Sequence, residues 1–244
     1  MIQENNALQF KKEFSKIEQF ISARSKSQSN SFAIQLQELV NRRDSLVTPY
    51  ESRLIEFAKL RNLIEHSSID IEKTPYAIPH DSTLKSIKDL YTRLSNPQTA
   101  NEVATKNITT ITKDHSIADA LNLMKSGGFT ILPVLNSKNE VEYVFSEYSL
   151  VKWLSSNMTS DGLILENTII SEIEEYLDKP DASDSNSAYL FTDRKKLAAD
   201  VFKNIEDSFK NDIRLNATFV TETGSKNEKV IGLITPWDVS RIKF

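Results

Sequence analysis

The sequence predicts a two-domain α+β chain: an all-α N-terminal four-helix bundle, then an α/β half built from two strand-helix-strand-strand-helix units. Three observations predict it. Before Pro97 the apolar residues recur at helical spacing. After it, short apolar strands alternate with capped helices. The stretch Val141–Ser149 is also echoed by Val230–Asp238, each a short strand running into a hydroxyl residue, two spacers, a polar residue and a helix. Repeats this long are two supersecondary units burying a shared face, not a solenoid.

In the N-terminal half, Phe10, Phe14, Ile17 and Ile21 mark a first helix. Asn30 or Ser31 starts a second, with Phe32, Leu36, Leu39 and Val40 on one side. Thr48-Pro49-Tyr50-Glu51 reads as a capping box with proline in the first turn, opening a third helix that runs to about His66. Residues 67–82, with Pro75 and Pro79, form a loop, and Leu84, Ile87, Leu90, Tyr91 and Leu94 mark a fourth helix. Four helices with mostly short loops make a bundle. The domains are expected at residues 1–97 and 107–244, with the polar stretch 98–106 as linker.

In the C-terminal half, the first copy reads as a strand at Ile108–Ile111, then a helix at Ile117–Lys125. Ser116 caps that helix with Asp119, and Gly127-Gly128 ends it. Strands at Phe129–Leu135 and Val141–Phe145 flank a turn at Asn136–Asn139. The second copy has a strand at Tyr189–Phe191, a helix at Lys195–Asn204, a strand at Leu215–Thr221, a turn at Gly224–Asn227 and a strand at Val230–Ile234. Residues 178–188 form an acidic, Ser/Asp-rich loop between the copies.

Composition limits the chemistry. Hydrophobic residues at 39% and charged residues at 26% are those of a globular protein rather than a disordered one. No apolar run is long enough to span a bilayer, and Met1–Lys12 lacks a signal peptide's apolar core, so a cytoplasmic protein is expected. With no cysteine, disulfides, thiolate metal sites and a Cys nucleophile are excluded. Three histidines, His66, His80 and His115, make a His-rich metal centre unexpected, and no metal site is predicted. Residues 1–97 hold 14 Lys and Arg against 12 Asp and Glu, and residues 98–244 hold 16 against 22. Neither balance is that of a dedicated duplex-binding surface.

The repeated order of elements over roughly residues 103–244 resembles a CBS pair, the module named for cystathionine β-synthase. The best motif is Gly232-Leu233-Ile234-Thr235-Pro236-Trp237-Asp238, which is similar to the family's G-h-h-T-x-x-D nucleotide signature. The resemblance implies that Asp238 holds ribose hydroxyls, Thr235 a phosphate, and Arg214 a further phosphate contact. A carboxylate accepts two hydroxyl donors side by side, and a helix N-terminus favours anions. The same Thr235 and Asp238 also form an ordinary capping box with Pro236 at the first helical position. In the first copy Ser146 and Ser149 stand at the equivalent positions, with Tyr143 where the family prefers Gly. A serine cannot accept two hydroxyls as a carboxylate does, so one good nucleotide site is expected, around Asp238. Trp153 and Trp237 follow the two motifs and are expected to pack in the core or between repeats.

The chemistry candidate in the first half is Arg61-Asn62-Leu63-Ile64-Glu65-His66. Asn62 and His66 share a helix face, and Arg61 lies about 100° around. The stretch resembles the R-x4–6-H motif of HEPN domains, four-helix bundles of prokaryotic ribonucleases and nucleotide-binding proteins, over roughly residues 1–97. The resemblance implies a metal-independent cut of RNA at a site shared by two subunits. His66 would be general acid or base, Arg61 the phosphate ligand and Asn62 the orienting residue. The plainer alternative makes Arg61 a surface side chain and His66 a cation at the helix C-terminus.

Together these features predict an endoribonuclease, probed by RNA as substrate, acting as a homodimer without required cofactor and regulated by AMP, ADP or ATP. The alternative is a non-catalytic adenylate sensor whose bundle mediates dimerisation or partner docking.

Overall fold

The computed structural model describes residues 2–65, 76–157, 168–180 and 188–241. The chain divides into two compact units that part between Pro97 and Gln98.

The first unit holds helices α1 (Ile2–Arg24), α2 (Phe32–Asn41), α3 (Glu51–Glu65) and α4 (Asp81–Ser95). The helical spacing of Phe10, Phe14, Ile17 and Ile21 sends all four to the interior, where Leu54, Leu84, Ile87 and Leu90 join them. Phe10 stacks on Phe14 with centroids 6.4 Å apart and meets Phe57 edge-on at 5.8 Å, geometries favoured by the ring quadrupole. His80 caps α4, its Nδ1 accepting from the Ser82 N–H at 3.2 Å. The capping box expected at Thr48–Glu51 does not form. Thr48 already lies inside a 3-10 turn, Thr48–Tyr50, and its buried hydroxyl has no partner among the described residues. Asp44 does that work instead, accepting from the N–H groups of Leu46 and Val47 at 3.1 and 3.2 Å while Arg24 Nε holds its other oxygen at 2.8 Å.

The second unit runs α5 (Ala100–Val103), α6 (Ile117–Gly127), β1 (Ile131–Leu135), β2 (Val141–Ser146), α7 (Glu147–Asn157), a 3-10 segment Ile170–Tyr176, β3 (Ala188–Asp193), α8 (Ala198–Lys210), β4 (Leu215–Thr221), β5 (Gly232–Ile234) and a final 3-10 turn Pro236–Arg241. β1 and β2 pair antiparallel. In the second sheet β3 runs parallel to β4, and β4 antiparallel to β5. Ser116 caps α6 by accepting from the Asp119 N–H at 3.0 Å, and Gly128 ends it in the left-handed region at φ 65°, where glycine has no Cβ to clash.

Three expectations need correction. The strand at Ile108–Ile111 shrinks to one parallel bridge between Ile111 and Val134, because the Ile108 N–H turns back to Lys106 O. The helix expected from Lys195 starts at Ala198, since Asp193 to Lys196 close a turn and Leu197 bridges to Thr99. The stretch 98–106 is not a free linker. Thr99 and Glu102 form a capping box, and Ala100, Val103 and Ala104 are buried beside Val201, Phe202 and Ile205 of α8. Most of the expected loops at 178–188 and 67–82 lies outside the described residues.

The two repeats are related residue by residue, and each carries the other's leading segment. Thr99 bridges to Leu197, and Thr105 to Leu233, so the segment before the first repeat lies on the second. Ile169 bridges to Ser116, and Asp178 to Val144, so the segment before the second lies on the first. Leu233 and Val144 hold the same place in the two motifs, and Leu197 and Ser116 each stand just before the helix of their repeat. Gly232 belongs to this exchange: a Cβ there would stand 2.8 Å from the Ala104 Cβ. Only glycine lets the exchanged segment approach β5 so closely.

Candidate functional site

At the end of the second repeat, β5 stops at Ile234 and Thr235 turns the chain into the final 3-10 turn. Asp238 Oδ2 accepts from both the Thr235 N–H, at 2.7 Å, and the Thr235 hydroxyl, at 2.9 Å. Asp238 is buried. Both donors of Thr235 are therefore spent on one carboxylate oxygen.

The first repeat reaches a similar arrangement with different residues. Ser146 Oγ accepts from the Ser149 N–H at 3.0 Å and donates to Asp178 Oδ2 at 2.8 Å. The Tyr189 hydroxyl donates to the same oxygen at 3.1 Å, and Lys152 Nζ donates to Asp178 Oδ1 at 3.1 Å. Burial, and then the neighbouring Asp178, push the Tyr189 phenol well above its ordinary value. It stays a donor at any ordinary pH. Ser146, Ser149, Asp178 and Tyr189 are all buried.

Both motif ends open on one cleft of about 700 Å³ within the second unit. Ser146, Glu147 and Tyr148 line it from one repeat, and Thr235, Pro236 and Trp237 from the other. Arg214 joins them because α8 ends in a Schellman motif. Ile213 N–H bonds Ser208 O at 2.9 Å, Asp212 N–H bonds Phe209 O at 3.2 Å, and Asp212 takes φ 58°. That turn delivers Arg214 at the start of β4. Arg214 is exposed and makes no ion pair with another described residue. Among the described lining residues it is the one cation, facing the carboxylates of Glu147 and Asp212.

The cleft thus gathers Ser146, Arg214 and Thr235. Ser149 and Asp238 do not line it and lie beneath its wall. The expectation for the tryptophans divides. Trp153 is in the core of the first repeat, but Trp237 is 88% exposed at the cleft and packs nowhere. Its true counterpart is Tyr148, whose ring carries Lys152 Nζ at 4.7 Å. Thr130, Ile131, Phe209, Leu215 and Asn216 complete the lining. Sequence reading passed over Asp178, Lys152 and Tyr189. A lone carboxylate before a polar loop has no motif, and only the exchange of segments brings it to Ser146.

In the first unit, Arg61 Nη1 pairs with Glu65 at 2.8 Å, Nη2 reaches Glu18 at 3.6 Å, and Nη1 also donates to Asn62 Oδ1 at 3.2 Å. Lys11 approaches Glu65 at 3.6 Å. Arg61 and Asn62 are thus together, and the guanidinium is spent on carboxylates of α1 and α3. His66 lies outside the described residues. Among the described residues no group of His, Cys, Asp and Glu is placed to hold a metal, and no helix is long and apolar enough to cross a membrane.

The chain is 26% identical over 140 residues to a homoserine O-acetyltransferase of Methanosalsum zhilinae, covering 56% of this chain and spanning 28% of that relative's length. Similar solved structures include a CBS domain pair in complex with methylthioadenosine and S-adenosyl-L-methionine, at 17% identity over 59% of this chain and 94% of that one, with a TM-score of 0.40. The protein CBSX2 in complex with AMP is also similar, at 17% identity over 59% of this chain and 93% of that one, with a TM-score of 0.41. A third is a CBS-domain protein of Agrobacterium tumefaciens, at 15% identity over 59% and 98%, with a TM-score of 0.42. Residues 100–156, from α5 through α7, match the family model of the CBS domain.

Proposed function

We propose that the second unit is a CBS pair that senses an adenine nucleotide in the cleft between its two motifs, and that the helical unit is a dimerisation or partner-docking module. The observation that carries this reading is the cleft itself. It gathers the Arg214 guanidinium, the start of a helical turn and two aromatic side chains around one space large enough for a nucleotide. The match to the CBS family over the first repeat supports it.

The hydrogen bonds suggest how binding proceeds. Thr235 has two donors, its N–H and O–H, and both rest on Asp238 Oδ2. A ribose also has two hydroxyl donors. When these replace the Thr235 donors at Asp238, Thr235 is released to donate both hydrogens to a phosphate. Every donor keeps an acceptor, so the exchange strands no buried polar group. Arg214 forks onto the remaining phosphate oxygens, and the exposed Trp237 stacks on the purine. With Glu147 and Asp212 beside the one arginine, the lining favours few phosphates. AMP binds more tightly than ATP in this reading.

A ribonuclease reading has no comparable support, because Arg61 is committed to Glu18 and Glu65. The test is thermal melting of the purified protein with AMP, ADP, ATP and GMP. A ligand at 100 times its Kd stabilises the state that binds it by about 2.7 kcal/mol. AMP should raise the melting temperature most and GMP least. An unchanged melting temperature at millimolar AMP would overturn the proposal.

A further inference from the structure

We infer that Asp178 closes the first repeat to ligand, so that the cleft takes a single ligand with its anionic end on the Thr235 and Arg214 side. The inference deepens the nucleotide reading and rests on it for the ligand, but the closure itself stands on the hydrogen bonds alone.

The two motifs look interchangeable from the cleft, since Ser146 and Thr235 hold equivalent motif positions and both line it. Beneath the surface they differ. The Thr235 hydroxyl rests on a carboxylate of its own turn, three residues on. Ser146 rests on a carboxylate brought by the exchanged segment, and that carboxylate is held from three elements. Ser146 of β2 and Tyr189 of β3 donate to Oδ2, and Lys152 of α7 donates to Oδ1. Ser146 has one hydrogen to give, and Asp178 takes it. Its oxygen already accepts from the Ser149 N–H and lies 3.0 Å from the Ser149 hydroxyl. A phosphate arriving at Ser146 finds no donor, and a ribose finds no carboxylate at Ser149. Displacing Asp178 would also strip a buried carboxylate of its lysine and its tyrosine, a cost that desolvation makes large. The chain's own carboxylate thus sits where a ligand's polar group would have to bind.

Two experiments test this. Calorimetric titration of AMP into the full chain should give one site per chain. Ser146→Ala should keep that stoichiometry and change the affinity by less than about threefold, because the Ser146 hydrogen is already spent on Asp178 and none reaches the ligand. Two sites in the wild type, falling to one in Ser146→Ala, would overturn the inference. Second, Asp178→Ala should melt well below the wild type. Sodium formate, a free carboxylate that fits the vacated place, should restore part of the loss where sodium chloride at equal ionic strength does not. Asp178→Asn, which keeps the volume but not the charge, should not be rescued. An Asp178→Ala protein that melts like the wild type, or gains no more from formate than from chloride, would also overturn the inference. If Asp178→Ala cannot be purified folded, the wild-type and Ser146→Ala stoichiometries decide. A wild type that binds no AMP sinks the nucleotide reading, while formate rescue still decides the closure.

Discussion

Replacing Gly232 with alanine probes the exchange of segments that builds the cleft. The new Cβ would lie 2.8 Å from the Ala104 Cβ and 3.5 Å from both the Thr105 carbonyl oxygen and the Val220 Cβ. Carbon atoms rest at about 3.5–4.0 Å, so β5 and the segment carrying Ala104 must part by about 1 Å. An alanine methyl cannot rotate away, and the Thr105–Leu233 bridge, with bonds of 2.9 and 3.0 Å, resists the separation. Overpacking of this kind costs about 1–3 kcal/mol. Loss of the glycine's freedom in the unfolded chain returns about 0.4–1 kcal/mol. The net of about 1–2 kcal/mol lowers the melting temperature by roughly 3–8 °C in a unit of this size. Differential scanning calorimetry reads it directly. Ala104→Gly removes the opposing methyl, so the double variant Gly232→Ala/Ala104→Gly should be more stable than the sum of the single losses by about 1 kcal/mol. A Gly232→Ala protein that melts with the wild type, or a double variant with additive losses, refutes the close approach and the exchange built on it.

Further expectations concern the cleft and the pH response. Trp237→Ala removes an 88% exposed ring, so stability should stay within about 0.5 kcal/mol, while AMP affinity falls roughly tenfold by the loss of about 1–1.5 kcal/mol of stacking. With Trp153 buried and Trp237 exposed, AMP should also quench the wild-type tryptophan fluorescence and leave that of Trp237→Ala unchanged. Arg214→Gln should weaken AMP by about 10–100-fold, the loss of a charged hydrogen bond of about 1.5–3 kcal/mol, without lowering the melting temperature. Glu102 is held below the ordinary carboxylate range, first by the Thr99 N–H and then by its hydroxyl. Because its folded value is depressed, the capping box adds stability above the ordinary carboxylate value and loses it as pH falls through the lowered one. The stability gap between wild type and Glu102→Gln should therefore close on acidification, and a gap that widens in acid would contradict it.

How much of this was legible in the sequence depended on the range of the interaction. β4 has the bounds read from its apolar run, Leu215–Thr221. The Ser116 cap and the Gly128 stop of α6 are local chemistry written within a few residues. Thr235 and Asp238 meet as their spacing implies, through the half of a capping box in which the carboxylate accepts from the Thr235 N–H. Thr48 misled because a hydroxyl before a proline signals a cap only when it stands outside the turn, and Asp44 had already taken that role. The stretch 98–106 looked like a linker because its buried residues, Ala100, Val103 and Ala104, are small and few, too little for a periodic signal. Asp178 and Tyr148 were hidden for a different reason. The one reaches Ser146 only through the exchange, a contact 32 residues apart in sequence. The other is matched to Trp237 by position in the motif and not by residue type.

The most direct test of the central claim is a side-by-side calorimetric titration of AMP into the wild type and Arg214→Gln. The account predicts one site per chain in the wild type and an affinity at least tenfold weaker in the variant, the lower end of a lost charged hydrogen bond of about 1.5–3 kcal/mol. An absence of heat in the wild type, or equal affinity in both proteins, would contradict it.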